Sequence, residues 1–280
     1  MKKRSLYKKN AFSFHKYVVS QKRNASKDIV EKIGCKLRRR FGYYKRLLRE
    51  DRLEELRELH LSQERKDALQ DLYSYKAKAF TQLRMDLTTD ENGRISNLCP
   101  YCQLEFAGTL DHIIPQTPFP EYSTHPYNLI PCCSTCNGKK NDDWMRAGRR
   151  IIIDFYIDDI PAIQYLYATP RVINEHLDVT YSLSFPMGYN PILKGRLETH
   201  YARLNLLDRY RSNTDDEILK LQIEIKSSVE YGISDDIIKK IILRKSQDSQ
   251  ERHGTNYWVA ILMQACVNDS VVYNYIKSHL

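Results

Sequence analysis

Between residues 27 and 90 apolar side chains return at roughly helical intervals. Ile29, Ile33, Leu37 and Phe41 are followed by Leu47, Leu48, Leu53, Leu56 and Leu59, with charges between them. That period gives a helix one inward face, so the stretch is expected to be helical, with Gly42 as the expected break between two helices. "TTDENGRIS" (88–96) concentrates turn formers and marks a boundary. "RRIIIDFYIDDIP" is apolar enough to require burial. In "HLDVTYSLSF" the residues Leu177, Val179, Tyr181, Leu183 and Phe185 alternate with other positions, the period of a half-buried strand. From Ile192 onward the helical period returns. "LKGRLETHYARLNLLDRYR" is amphipathic, and Thr214 with Glu217 has capping-box spacing. There is no internal repeat and no low-complexity tract. The expected class is α+β, mostly helical, in three parts: a helical region (1–90), a cysteine-rich module (91–150), and a mainly helical region with a short strand segment (151–280).

Charge is unevenly spread along this pattern. Residues 1–90 carry 24 Lys/Arg against 12 Asp/Glu, a net +12, while the remainder carries −3 of the overall +9. A basic third joined to a near-neutral body points to an acidic partner, most commonly nucleic acid; the alternative is a solvated helical surface. Lys36, Arg38, Arg39 and Arg40 form the densest basic cluster, with Tyr7, Phe12, Phe14, Tyr17, Phe41, Tyr43 and Tyr44 interspersed nearby. Hydrophobic residues at 42% are enough for a real core and argue against disorder. "WVAILMQACV" is far short of the roughly 20 residues that span a bilayer. The basic start has no apolar run of signal-peptide length. A cytoplasmic protein without membrane contact is expected.

Seven cysteines are too few for a disulfide scaffold, and four of them form two pairs, Cys99-x-x-Cys102 and Cys133-x-x-Cys136. Four thiolates close a tetrahedral Zn²⁺ site and leave it no open position, so this ion is expected to be structural. Cys132 could replace Cys133 only by distorting the knuckle. Cys35 and Cys266 read as small core residues. The insert between the pairs contains Asp111 and His112. On spacing alone His112 is a packed strand residue; with zinc already satisfied, it is also free for chemistry.

"LDHIIPQ", Asn128 in "YNLIP", and "CSTCNGKK" occur in an order that resembles HNH endonucleases of the kind braced by a four-cysteine zinc site. The resemblance runs from Leu98 to Lys140, with Asn137 at the third motif position. It implies a ββα-metal module: a strand ending at Asp111-His112, a loop containing Asn128, and a second strand leading to a helix beginning near Asn137. It further implies His112 as general base, Asp111 and Asn137 as ligands of Mg²⁺ or Mn²⁺, and Asn128 as a pin for the loop behind the histidine.

Elementary chemistry agrees with those roles. A neutral imidazole accepts a proton, and a hard cation on oxygen ligands offsets charge on a phosphodiester. Amides near a helix start at Asn137, with Lys139 and Lys140 beside them, would suit a phosphate; the alternative is solvated helix charge. Neighbours on a straight strand face opposite ways, so Asp111 and His112 can share a site only if the strand ends or bends, as Pro115 suggests. His125 is expected on a loop surface, with substrate contact as the alternative.

The flanks resemble stand-alone bacterial HNH proteins, among them nuclease subunits of Septu-type anti-phage systems, which imply an ATPase partner. No nucleotide-binding glycine loop occurs in this chain. The expected function is a metal-dependent HNH endonuclease acting on DNA in anti-phage defence with such a partner. One alternative is a non-catalytic zinc module that binds nucleic acid or a partner protein. Another is a subunit inert until its partner assembles.

Overall fold

A computed structural model describes residues 1–90 and 92–278. The chain forms two compact units, Lys3–Asp159 and the residues from Ile160 onward together with Met1–Lys2. The class is α+β and mostly helical.

The first unit begins with helices α1 (Ala11–Gln21), α2 (Ala25–Lys32), α3 (Gly34–Arg49), α4 (Gln63–Asp71) and α5 (Lys78–Thr88). Asn10 caps α1, its side chain accepting from the Ser13 amide at 2.9 Å. The break expected at Gly42 falls at Ile33 instead, and Gly42 lies inside α3. A helical glycine costs only about 1 kcal/mol relative to alanine. Burial of Leu37, Phe41, Tyr44, Leu47 and Leu48 along one face outweighs that cost.

These helices enclose a small ββα module. Strand β1 (Thr109–His112) pairs antiparallel with β2 (Leu129–Cys132), placing Asp111 opposite Ile130 and His112 opposite Leu129. Helix α6 (Ser134–Lys140) follows. It starts at Ser134 and not near Asn137, because the Cys133 sulfur accepts from the Cys136 amide at 3.3 Å and so caps the first turn. The Asn137 amide is consequently spent on the Cys133 carbonyl, 3.0 Å away, and offers nothing to a phosphate.

The loop from β1 to β2 is folded inward through short 3-10 turns at Pro120–Tyr122 and Pro126–Asn128. His125, expected at the surface or at substrate, is fully buried. Its ring lies 4.3 Å from that of Phe41 and 4.6 Å from that of Tyr44. The Tyr127 amide donates to its Nδ1. Aromatic residues of α3, remote in sequence, thus convert a loop histidine into core.

A two-residue hairpin, β3 (Met145–Arg146) with β4 (Arg149–Arg150), leads into an irregular but buried stretch from Ile151 to Tyr156. The Tyr156 hydroxyl donates to the Leu129 carbonyl at 2.7 Å, and Arg150 pairs with Asp158 at 3.0 Å. These contacts keep residues 151–159 in the first unit, so the compact boundary lies nine residues beyond 150.

In the second unit the expected strand is β6 (His176–Leu183). Its partner β5 (Leu166–Ile173), for which the sequence shows no clean alternation, pairs with it antiparallel over eight residues. Helices α7 (Pro191–Arg203), α8 (Leu206–Ser212), α9 (Thr214–Glu230), α10 (Asp235–His253), α11 (Trp258–Asn268) and α12 (Ser270–Ser278) complete it. The Tyr210 and Trp258 rings stack at 5.4 Å. The expected Thr214 capping box is absent. Thr214 is the first residue inside α9, and its hydroxyl donates back to the Tyr210 carbonyl at 2.9 Å.

Candidate metal centre and active site

The two cysteine pairs converge. The Sγ atoms of Cys99, Cys102, Cys133 and Cys136 all lie within 4.8 Å of one another and are buried. Cys102 and Cys133 are 3.8 Å apart, and four thiolates at zinc-ligand distance form a tetrahedron with edges of about 3.8 Å. The Leu104 amide points at Cys102 Sγ (3.4 Å), as the Cys136 amide does at Cys133 Sγ. Such N–H···S contacts stabilise thiolate over thiol, so the residues fit a four-coordinate metal. Cys132 stands outside the cluster, its sulfur 3.4 Å from the Thr109 hydroxyl. Of the two expected core cysteines, Cys266 is buried and Cys35 is exposed.

On the other side of α6 a pocket of about 410 Å³ is lined by residues that include Asp111, His112, Asn137, Asn141, Asp142, Tyr73, Tyr75 and Gln116. Because β1 ends at His112, adjacent residues can serve one pocket from different directions. His112 Nε2 lies 2.9 Å from the Ser123 carbonyl. A carbonyl oxygen only accepts, so Nε2 carries the hydrogen and Nδ1 is left as the acceptor of the neutral ring. Tyr73 holds that ring edge-on at 4.5 Å. Burial lowers the His112 pKa to about 4, which keeps the imidazole unprotonated near neutrality.

Asp111 accepts a hydrogen bond from the Tyr101 hydroxyl at 2.7 Å. Its oxygens lie 3.3 and 3.2 Å from Lys140 Nζ. Burial pushes the carboxyl above its usual range, and Lys140 and Tyr101 offset only part of that rise. Asn137 donates through Nδ2 to the Thr109 hydroxyl at 3.4 Å. Asp111 and Asn137 are oxygen-bearing groups on one pocket wall, a donor set that suits a hard cation.

Asn128 is fully buried and is not among the pocket-lining residues. Its Nδ2 donates to the carbonyls of Ile114 (3.0 Å) and Tyr122 (3.3 Å), and its Oδ1 accepts from the Ile114 amide at 2.7 Å and from the Tyr44 hydroxyl at 3.1 Å. Four bonds from one side chain tie together both ends of the loop that carries Ser123. Asn128 therefore acts on His112 only through that backbone.

Two lysine and arginine expectations are corrected. Lys140 is not a surface cation for phosphate. It is 1% exposed and is held by Asp111 and by the His112 carbonyl at 2.7 Å. Arg40 is likewise turned inward, bonded to buried Glu121 at 2.6 Å. Lys36, Arg38, Arg39 and Lys139 are exposed, as a nucleic-acid contact requires. Arg40→Ala strands the Glu121 carboxylate, and breaking a buried pair from one side costs about 3–5 kcal/mol. That loss should appear as a lowered Tm, whereas Arg39→Ala should leave Tm near that of the parent.

Four contributors escaped the sequence: Tyr73, Tyr101 and Tyr44 brace His112, Asp111 and Asn128, and Ser123 acts through its carbonyl. Nothing local marks these tyrosines among the 20 in the chain, and a backbone acceptor has no residue signature.

The comparisons bear on the same segment. Residues 99–143 match the family model for HNH endonuclease. The chain is similar to Protein ea31 of Escherichia phage lambda, with 30% identity over 122 residues, covering 40% of this chain and 39% of that protein. The match thus spans well under half of the relative's length. No solved structure matches. With the two cysteine knuckles, the β1–β2 pair and α6 falling inside the matched segment, residues 99–143 are a domain of the HNH endonuclease family.

Proposed function

We propose that this protein is a metal-dependent endonuclease that hydrolyses phosphodiester bonds in DNA, with segment 91–150 as the catalytic module. The observation that carries this reading is His112: Nε2–H is fixed by the Ser123 carbonyl, and the remaining nitrogen is an acceptor on a residue lining the pocket. A ring held in one tautomer is set to take a proton from an attacking water. Asp111 and Asn137 would hold Mg²⁺ or Mn²⁺. When bound, that ion offsets charge developing on the phosphoryl and leaving oxygens. Tyr101 and Lys140 keep the Asp111 carboxylate oriented, and Asn128 keeps the His112 loop in place. The four cysteines would hold Zn²⁺ as a closed brace.

The exposed residues Lys36, Arg38 and Arg39 on α3, together with Lys139, supply phosphate contacts in this reading. Changing the first three to alanine together should weaken DNA binding and flatten the dependence of log affinity on log salt. Each lost phosphate contact lowers that slope by about 0.9. An unchanged slope, read by fluorescence anisotropy across a salt series, would remove this face from the DNA interface. The resemblance of the flanks supports a role in anti-phage defence beside an ATPase partner. Reduced thiols in a zinc brace suit a cytoplasmic setting. Among the described residues no helix is long and apolar enough to cross a membrane.

Plasmid cleavage in Mg²⁺ or Mn²⁺, with and without the neighbouring gene product, tests the proposal. Divalent-dependent nicking or linearisation is expected. DNA binding without cleavage in either setting would instead favour a non-catalytic binding module. Cleavage only with the second protein present would identify a partner-dependent nuclease.

A further inference from the structure

The pocket beside His112 has a second side that the hydrolytic chemistry does not use. Tyr75 stands there, in the connection between α4 and α5, and is 44% exposed. Its neighbour Tyr73, by contrast, is committed: the hydroxyl donates to the Leu110 carbonyl at 2.6 Å and the ring packs on His112. The Lys76 ammonium lies 5.7 Å from the centroid of the Tyr75 ring. Gln116 also lines the pocket and brings a side-chain amide to it.

An aromatic face, an adjacent cation and an amide suit one class of ligand. A nucleobase presents a flat π-surface for the ring and polar groups on its edge for the amide, and its phosphate lies within reach of a lysine. We propose that Tyr75 and Gln116 form a nucleobase subsite that receives an unpaired base next to the scissile phosphate. The bound nucleotide stacks on Tyr75 and meets the Gln116 amide with its polar edge. Both faces of a base inside a duplex are covered by its neighbours, so the subsite accepts only a base that is single-stranded, mismatched or turned out of the helix. The pocket is of small-ligand size, consistent with a single nucleotide and not a base-paired stack. The substrate class is therefore DNA with unpaired or distorted positions.

This inference rests on the nuclease reading for the placement of the scissile phosphate, but it can be measured without turnover. In a His112→Ala background, affinity for a single-stranded oligodeoxynucleotide is compared among Tyr75, Tyr75→Phe, Tyr75→Ala and Gln116→Leu proteins. Loss of one base–aromatic stack should weaken binding roughly 5- to 150-fold in Tyr75→Ala. Tyr75→Phe should remain near the parent, and a perfect duplex of the same sequence should show little change. Gln116→Leu should also weaken single-strand binding, because it removes the amide that meets the base edge. Equal single-strand affinity in Tyr75→Ala and the parent would overturn the subsite, as would equal losses on single strand and duplex.

With His112 intact, cleavage of a duplex carrying one mismatch is compared with cleavage of its perfect counterpart. If no DNA is cut yet Tyr75→Ala still loses single-strand affinity, the subsite stands and the nuclease reading falls. If cleavage occurs with no preference for the mismatch and no Tyr75 effect, the subsite falls alone.

Discussion

Cys133→Ser protein should be recovered without bound metal and without the fold of the Lys3–Asp159 unit. Cys133 belongs to the four-sulfur cluster, so the substitution opens the metal site, while serine, itself a good N-cap, can keep the cap of the helix that carries Asn137 and Lys140. Structural zinc in small sites contributes roughly 10–16 kcal/mol of apparent binding free energy. A typical domain has only about 5–15 kcal/mol of net stability. Losing the ion should therefore exceed what the remaining core can offset. Elemental analysis and limited proteolysis measure the two losses separately. Cys132→Ser is the matched control, because its sulfur lies outside the cluster and already meets the Thr109 hydroxyl. It should keep a full complement of metal. A metal-replete, protease-resistant Cys133→Ser protein would show that the brace does not hold the module together.

His112→Ala should behave in the opposite way. The metal brace lies on the far side of α6 and Asn128 holds the loop independently, so fold, metal content and DNA binding should survive. Cleavage should fall by about 10²–10⁴, the range typical of losing a general base. Plasmid nicking followed over time, beside zinc content and a melting curve, separates the two outcomes. Wild-type cleavage by His112→Ala would place the base elsewhere; loss of zinc and fold would make the histidine structural.

The pH profile gives a second readout. Burial lowers the His112 pKa to about 4, and in the proposed mechanism the neutral ring is the competent form. Activity should therefore show no inflection near pH 6.5 from this residue, and its acid limb should lie near 4. Asp111 is better probed as Asp111→Asn than as alanine. Both variants remove the negative charge that faces the buried Lys140 ammonium, but asparagine keeps an amide oxygen to accept from it, so a folding defect obscures the metal question less.

The metal brace was legible in the chain before any fold was known, because CxxC spacing alone brings two sulfurs to one ion. The ββα order around Asp111, His112 and Asn128 was likewise legible as a motif. The mostly helical class and strand β6 followed from periodicity, which is a local property and survives folding when one face is buried.

Tertiary structure decided whatever depended on a partner distant in sequence. Lys140 and Arg40 look like surface cations in a basic sequence. Each turns inward because a buried carboxylate awaits it, Asp111 at 29 residues' separation and Glu121 at 81. His125 became core because Phe41, 84 residues away from it in the chain, supplies the ring that covers it. The helix break moved from Gly42 to Ile33 because a continuous buried face outweighs one glycine's backbone entropy. Strand β5 was set by pairing with β6, which no periodicity within β5 records. Ligand spacing and amphipathic period are written along the chain. The direction in which a long charged side chain points depends on desolvation and on a countercharge that only the folded chain brings near.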